Sequence, residues 1–237
     1  MSLCLIHTAD RHGRLRADQA QRLGDLKRER GALLLDAGDA LCAPNLFAFP
    51  WPEPVIARMN AAGYDALCVG NREYALTRRG LVAKLGGLAC PVLSANLLPR
   101  REPLPCLQRW TVLTAADGTR VGVFGLSQPI IEPGSFWERH AAARYVPPES
   151  VVPEAIAALR PQVDLLVVLT HYGDRPEAAL AAAHPELDLI LAGHWHAAEP
   201  SLETVGAVTI SRTFPHGRGA AILTLVGGHW EQESYAP

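Results

Sequence analysis

The chain has 237 residues, 49% of them apolar and 19% charged, and its formal net charge is -2. This composition argues against disorder, and the near-neutral balance gives no electrostatic reason to expect a nucleic-acid or anionic-membrane partner. No run approaches the ~20 apolar residues of a membrane span, and the N-terminal segment lacks the features of a signal peptide. We therefore expect a cytoplasmic protein with a single domain over residues 1–237.

The cysteine pattern supports the same compartment. The five cysteines are Cys4, Cys42, Cys68, Cys90 and Cys106, an odd number at wide spacing with no Cys-x-x-Cys pair. This pattern predicts free thiols in a reducing environment, not a disulfide framework or a zinc ribbon.

Short apolar runs alternate with amphipathic stretches, which predicts an α/β sheet with helices on its faces. In chain order the predicted elements are strand 3–6, helix 16–30, strand 32–35, helix 54–62, strand 66–69, helix 78–85, strand 121–125, helix 153–159, strand 163–169, helix 175–183 and strand 187–191. Three further strands, 205–210, 219–225 and 229–234, follow without helices between them, so we expect an antiparallel edge there.

Two segments are predicted as loops that carry aromatic residues. Segment 43–54 contains Phe47, Phe49 and Trp51 among four prolines, and segment 129–148 contains Trp137 and His140. Each loop either packs its own aromatic rings or forms a wall that faces a substrate.

Residues of the metal-binding types follow five of the predicted strands. They are Asp10 and His12, then Asp39, Asn71, His171, and finally His194 with His196. Any one of these motifs is weak evidence, since Asp and Asn are frequent in turns. The carboxyl ends of the strands in an open α/β sheet form one rim, so the seven donors together predict one site. The other histidines are interpreted as structural: His7, His140, His184, His216 and His229.

The donor set indicates the kind of metal. Carboxylate, imidazole and amide groups without a thiolate suit Mn, Fe, Zn, Co or Mg. Seven donors exceed the needs of one ion and suit two ions about 3.5–4 Å apart that share a bridging carboxylate.

The order of these motifs resembles that of the calcineurin-like metallophosphoesterases, and within them the catalytic domain of the 5′-nucleotidase group. The motifs are Asp-x-His, Gly-Asp, Gly-Asn, a strand-end His and Gly-His-x-His, and segments 94–97 and 121–126 also resemble this group. The resemblance extends from about Leu3 to about Leu225. It implies a four-layer α/β/β/α sandwich with mixed sheets and a dinuclear metal site, for which we expect Mn first, with Fe, Zn, Co, Ni or Mg as alternatives.

The resemblance also implies a role for each donor. One metal would be held by Asp10, His12 and His196, the other by Asn71, His171 and His194, and Asp39 would bridge the two. A water between the ions would attack phosphorus in line. The expected protein is thus a metal-dependent phosphoric ester hydrolase acting on a small phosphorylated substrate, with Asn71 and Arg72 as substrate-binding residues.

The third motif departs from the family pattern. The family usually has Gly-Asn-His. In the 5′-nucleotidase group an aspartate three residues on pairs with this histidine, and the pair stabilises the transition state or protonates the leaving group. Here the two positions are Arg72 and Ala75. Arginine keeps a positive charge that can bind a phosphoryl oxygen, but it cannot donate a proton at ordinary pH.

Three interpretations of this departure remain open. In the first interpretation, the substrate has a leaving group that needs little protonation, as in an aryl phosphate. Alternatively His216, in the segment Phe-Pro-His-Gly-Arg, supplies the proton, so that Arg72 and His216 are the candidate catalytic residues. In the third interpretation the protein binds metal and ligand with little turnover.

Two other functions are kept as alternatives to phosphate-ester hydrolysis. Relatives in the same superfamily hydrolyse thiosulfonate-type sulfur esters with a similar metal pair, and others are metal-binding scaffold proteins. The length of the chain matches one catalytic domain, so we expect no C-terminal nucleoside-binding domain. Nucleotide specificity is therefore not carried over from the 5′-nucleotidase group.

Overall fold

The computed structural model describes residues 3–173 and 176–236. Within these ranges there are fourteen β-strands, numbered in chain order. They are β1 (Cys4–Thr8), β2 (Leu33–Asp36), β3 (Ala66–Cys68), β4 (Val92–Leu93), β5 (Leu97–Pro99), β6 (Trp110–Thr114), β7 (Arg120–Ser127), β8 (Ala143–Tyr145), β9 (Leu165–His171), β10 (Leu189–Ala192), β11 (Ser201–Val205), β12 (Val208–Arg212), β13 (Ala220–Val226) and β14 (His229–Tyr235).

Five α-helices lie in the same ranges: α1 (Ala17–Arg30), α2 (Pro54–Ala62), α3 (Arg78–Leu85), α4 (Pro148–Leu159) and α5 (Glu177–Ala183). Two short 3₁₀ turns add Trp137–His140 and Arg160–Gln162. Local signals set the helix ends. The backbone turns left-handed at Gly31 and Gly63, which stop α1 and α2, and the side chain of Thr77 caps α3 by accepting from the Gly80 N–H.

The strands form two six-stranded sheets and a small pair. Sheet A has the order β14-β13-β1-β2-β3-β4, in which β1 to β4 run parallel and β13 and β14 add antiparallel strands at one side. Sheet B has the order β11-β12-β10-β9-β7-β6, in which β7, β9, β10 and β12 run parallel. Strands β5 and β8 form the pair.

The two sheets face each other and the helices cover their outer faces. Apolar residues of both sheets, such as Leu5, Leu35 and Val167, fill the space between them. A second cluster joins sheet A to α1, α2 and α3 through residues such as Leu23 and Met59, and a third joins sheet B to α4 and α5. The predicted four-layer α/β/β/α sandwich with mixed sheets is therefore confirmed.

The C-terminal strands differ from the prediction. They do not share one edge, because β11 and β12 belong to sheet B, whereas β13 and β14 belong to sheet A. Segment 205–210 is not one strand but contains the turn between β11 and β12. Residues 213–219 carry the chain from one sheet to the other, a tertiary arrangement that strand patterns do not encode. Antiparallel pairing is present at the edges of both sheets, although β12 itself pairs in parallel with β10.

Helix α4 begins five residues earlier than predicted, at Pro148, with Pro153 inside it. Proline is frequent in the first turn of a helix, and here Pro148 occupies that position. Helix α5 begins at Glu177, and residue 175, the predicted start, lies outside the described residues. In the described part of the chain no helix is long and apolar enough to cross a membrane. The single domain and the cytoplasmic location stay predictions.

Candidate metal centre

The first two motif loops are joined by their backbones beyond the ends of β1 and β2. The N–H groups of Asp10, His12 and Gly13 donate to the carbonyls of Gly38, Asp39 and Ala40, at 2.9, 2.8 and 2.8 Å. These three hydrogen bonds continue the pairing of β1 with β2 into the loops, so the two loops hold their side chains in one fixed arrangement.

The donors adopt an unusual backbone conformation. Seven non-glycine residues of the described ranges have positive φ angles, and all but Leu46 lie at this site: Asp10, His12, Asp39, His194, His196 and His216. A left-handed conformation costs a non-glycine residue about 1–3 kcal/mol, and such strain concentrates at functional sites. The fold therefore holds these side chains in orientations that the free chain would rarely adopt.

Six of the seven predicted donors form a closed ring of contacts. The first half of the ring centres on His196, whose Nε2 is 3.3 Å from Asp10 Oδ1 and 3.1 Å from His12 Nε2. His12 Nε2 is in turn 3.8 Å from Asp39 Oδ2. These contacts bring two imidazoles and two carboxylates to one point.

His171 and His194 close the ring. His171 Nε2 is 3.4 Å from Asp39 Oδ1 and 3.2 Å from His194 Nδ1. The backbone N–H of His194 donates to Asp10 Oδ2 at 2.9 Å, which returns the ring to its start. The donors come from both sheets, since Asp10 and Asp39 follow strands of sheet A, whereas His171 ends a strand of sheet B and His194 follows another. The rim is thus formed by two facing sheets, which differs from the single rim expected from the alternating pattern.

Asn71 lies beside the ring. Its Oδ1 is buried and has no hydrogen-bond partner. The neighbouring backbone N–H of Arg72 donates to Asp39 Oδ1 at 2.7 Å, which ties the third motif to the bridging carboxylate. Asn71 therefore offers an unpaired acceptor, and the residue after it is hydrogen-bonded to the carboxylate predicted to bridge two ions.

The chemistry of the ring fits divalent cations. His171 Nδ1 is 2.9 Å from the carbonyl of Ala37, so a neutral His171 carries its proton on Nδ1 and turns the Nε2 lone pair toward Asp39. A lone pair and a carboxylate oxygen repel each other unless a cation lies between them. Among the residues that the structure describes, two groups have their ligand atoms within 4.8 Å of one another: Asp10, His12 and His196, and Asp10, Asp39 and His171. Asp10 belongs to both groups, so Asp10 as well as Asp39 lies between the two candidate metal positions.

The pKa shifts of His171 and Asp39 also indicate a site for a cation. Burial by itself would lower the pKa of His171, but the carboxylates of Asp39 and Asp10 outweigh it and raise that pKa to about 10. The pKa of Asp39 is held well below its usual range: burial would raise it, but the charge and hydrogen bond of His171 outweigh burial. The pocket is therefore one in which negative charge stabilises a cation strongly.

Glu73, for which the sequence analysis predicts no role, binds the backbones of the motif loops. It is fully buried, and its carboxylate accepts from the N–H groups of Asp39, Leu41 and Gly70, at 2.8, 3.0 and 2.8 Å. Burial raises the pKa of Glu73 to about 7, with a further contribution from Asp39. The side chain thus joins the second and third motif loops through their backbones.

Lys84 was also missed. It is 2% exposed, and its Nζ donates to the carbonyls of Pro44, Arg72 and Tyr74, at 2.8, 2.7 and 2.7 Å. Burial lowers the pKa of this ammonium to about 8. A signal was present in the sequence: at helical spacing Lys84 falls on the same face of α3 as the buried Leu81 and Leu85.

The structure places both candidate catalytic residues near the ring. The ring of His216 is 4.7 Å from that of His196 and 5.1 Å from that of His12, measured between centroids, and its backbone N–H donates to the Asp10 carbonyl at 2.7 Å. Arg72 is half-buried, and its Nη1 donates to the carbonyl of Cys42 at 3.3 Å. His216 is thus part of the site, contrary to its default structural interpretation.

The fold and the donor ring are those of a metal-dependent phosphoesterase. The family model of the calcineurin-like phosphoesterases matches residues 5–198, and the chain belongs to this family. The family match confirms the predicted family and the predicted class, a metal-dependent phosphoester hydrolase.

Individual relatives place the chain within the family. It is 26% identical over 180 residues to the NAD 5′-nucleotidase of Haemophilus influenzae, a match that covers 72% of this chain and 28% of that protein. Its fold is similar to the 5′-nucleotidase precursor of Thermus thermophilus (TM-score 0.82, 23% identity, 100% of this chain and 54% of that one). It is also similar to the sulfate thiohydrolase SoxB of the same genus (TM-score 0.80, 19% identity, 99% and 56%). The chain therefore spans only part of the length of these relatives.

Proposed function

We propose that this chain is a dinuclear metallophosphatase that hydrolyses small phosphate esters, with phosphomonoesters and nucleotides ahead of diesters. The observation that carries the proposal is the closed ring of six donors, with the unpaired Asn71 oxygen beside it. Carboxylate, imidazole and amide donors in this number suit two divalent ions, manganese first.

The residues divide between two metal positions. Asp10, His12 and His196 would hold one ion, Asn71, His171 and His194 the other, and Asp39 would bridge them with Asp10 close to both. When bound, such a pair supplies a hydroxide nucleophile near neutral pH and neutralises charge on the phosphoryl oxygens. The buried Ala37 carbonyl orients His171 for this purpose, as partners of metal-ligating histidines commonly do.

Arg72 binds the phosphoryl group in this proposal. Its backbone N–H donates to Asp39 Oδ1, and its guanidinium donates to the Cys42 carbonyl. Arg72 therefore brings a permanent positive charge close to the metal positions. A guanidinium matches the oxygens of a phosphoryl group and keeps its charge at all ordinary pH values. Arg72 therefore stabilises developing negative charge, while Asn71 contacts the substrate from the same loop.

His216 supplies the proton to the leaving group. Arg72 and Ala75 stand where the family has its histidine and aspartate, and arginine cannot donate a proton at ordinary pH, so the third motif offers no proton donor. The ring of His216 lies against those of His12 and His196, and its Nδ1 is buried without a hydrogen-bond partner. This position is within the site and independent of the third motif.

The test is a hydrolysis screen on the purified chain with Mn²⁺, Co²⁺, Ni²⁺, Zn²⁺ and Mg²⁺, using aryl phosphates, bis-aryl phosphates, nucleotides and sugar phosphates. We expect two ions per chain after Mn²⁺ loading and turnover of p-nitrophenyl phosphate. Arg72→Ala should lower that turnover, whereas His229→Ala, at the exposed end of β14, should leave it unchanged. Fewer than two ions per chain, or no turnover with two ions bound, would contradict the proposal.

Sulfur-ester hydrolysis is the second candidate. The observation in its favour is the replacement of the proton-donating pair by Arg72 and Ala75, because a sulfur leaving group needs less protonation than an alkoxide. The sulfate thiohydrolase SoxB has the same fold. Release of sulfate from a thiosulfonate substrate, without phosphatase activity, would favour this function. Two bound metals without turnover of either kind would favour a scaffold protein.

A further inference from the structure

The loop between β2 and α2 presents an open aromatic face. We call residues 43–52 the aromatic loop. Within it Phe47 is 67% and Trp51 is 61% exposed, whereas Phe49 is half-buried. The rings of Phe49 and Trp51 are stacked in parallel, 5.4 Å apart and inclined by 4°. One face of the indole is therefore supported by a second ring, and most of the side chain is open to contact.

The aromatic loop is fastened at both ends and in the middle. The buried Glu53 carboxylate accepts from the N–H groups of Cys42 and Ala43, at 2.6 and 3.1 Å, and so closes the neck of the loop. In the middle, the N–H of Leu76 donates to the carbonyl of Leu46 at 3.1 Å. These contacts fix the loop to the third-motif segment, so its aromatic rings have a defined place relative to the metal centre.

That place is next to Arg72. The carbonyl of Cys42, at the neck, accepts from the Arg72 guanidinium. Lys84 binds the carbonyls of Pro44 and Arg72 with one ammonium group. Trp51 is two residues from Glu53, a separation of at most ~7 Å along the chain, and the Glu53 carboxylate lies on Cys42. The neck of the aromatic loop is therefore in contact with Arg72, and Trp51 lies within two residues of that neck.

We propose that the aromatic loop determines specificity by stacking on an aromatic ring in the leaving group of the substrate, with Trp51 as the main contact and Phe47 beside it. The inference rests on the proposed function, in which Arg72 and the metal centre hold the phosphoryl group. A substrate with phosphate at one end and a flat ring at the other, such as a nucleoside monophosphate, would place its phosphate at Arg72 and the metal centre and its ring on the aromatic loop. Large exposed aromatic side chains on an otherwise fixed loop are typical of a contact surface, and ring stacking is tolerant of the identity of the base.

The test compares two substrates that differ in the ring alone, AMP and ribose 5-phosphate. Trp51→Ala should lower the ratio of their kcat/KM values about tenfold, within the range of one lost stacking contact, and Trp51→Phe should restore most of it. The matched control is Trp137→Ala, which removes an equally exposed indole (62%) from segment 129–148 and should leave the ratio unchanged.

A binding measurement separates this inference from the proposed function. The dissociation constant of adenosine, measured by equilibrium dialysis, requires no turnover, and Trp51→Ala should raise it about tenfold. If no phosphate ester is hydrolysed, this measurement still decides the inference. An unchanged ratio and dissociation constant in Trp51→Ala, or an equal loss in Trp137→Ala, would overturn it. So would a Trp51→Ala variant that changes only self-association in sedimentation, because the loop would then be an interface between chains.

Discussion

His7 should make the protein sensitive to mild acid. It is fully buried between the two sheets, with Nδ1 3.1 Å from Ser211 Oγ. Ser211 Oγ donates its proton to Gln232 Oε1 at 2.7 Å, so it accepts from the N–H at His7 Nδ1. His7 Nε2 consequently carries a lone pair that has no hydrogen-bond partner. Burial lowers the pKa of His7 from 6.5 to about 3, because a proton on Nε2 would create a buried charge without a partner.

The direction of this pH effect follows from the protonation of His7 in the folded and unfolded states. The unfolded chain takes up the proton as the pH falls below 6.5, whereas folded His7 stays neutral down to about pH 3. The unfolded state therefore binds more protons over this window, and the free energy of unfolding decreases as the pH decreases. From pH 7 to pH 5, His7 alone should remove about 2 kcal/mol, a large part of an ordinary folding stability.

The perturbation is His7→Gln, which keeps a polar side chain that does not titrate. Urea unfolding of wild type and variant at pH 7, 6 and 5, in EDTA so that bound metal does not contribute, gives the difference in pH dependence. The histidines of the metal centre are common to both proteins and cancel in that difference. We expect the variant to lose about 2 kcal/mol less than wild type between pH 7 and pH 5, and His229→Gln to follow wild type. Parallel curves for His7→Gln and wild type would refute the reasoning.

Three further predictions concern the site and its support. Lys84→Met should lower the free energy of unfolding by about 3 kcal/mol, because it leaves three carbonyls without their donor. The loss should exceed that of Lys27→Met, which removes a less buried ammonium. Equal losses in urea unfolding would contradict this prediction. Mn²⁺ at about 100 times its dissociation constant should stabilise wild type by about 2.7 kcal/mol per site in thermal unfolding, and Asp39→Asn should remove most of this gain; an unchanged gain would mean that Asp39 is not a ligand. His216→Ala should reduce kcat on alkyl phosphates about 10²-fold or more and kcat on aryl phosphates far less; equal losses would exclude His216 as the proton donor.

The sequence predicts the donors because each follows an apolar run that ends in a polar turn. Leu33–Asp36 and Leu165–His171 are strands of the kind that the pattern describes, and Asp39 and His171 lie at or just after their ends. Parallel strands send their carboxyl ends to the same side of the fold, so donors far apart in the chain become neighbours. The local pattern thus carries the information needed for the donor set.

The local pattern does not carry the pairing of the strands. Whether β12 and β13 share a sheet depends on which apolar surfaces meet, and this is decided between the sheets. The supporting residues fail for a related reason. Glu73 and Lys84 act on backbone groups of distant loops, and a backbone donor or acceptor has no signature in the sequence. Only the polarity of Lys84 on a buried helix face indicates that it has partners.

The left-handed donors were also beyond prediction, since only a small fraction of non-glycine residues adopt positive φ angles, even though aspartate and histidine do so more often than most. Their conformation is stabilised by hydrogen bonds from neighbouring loops, such as those of Asp10 and His12 to Gly38 and Asp39. Gly38, with a φ angle of 101°, shows why the loops must approach so closely: a Cβ there would lie 2.7 Å from His171 Nδ1. The same close approach places the Ala37 carbonyl on that nitrogen and fixes the imidazole toward Asp39. Gly38 is therefore part of the metal centre although it offers no ligand, because the His171 imidazole occupies the space that a side chain at position 38 would fill.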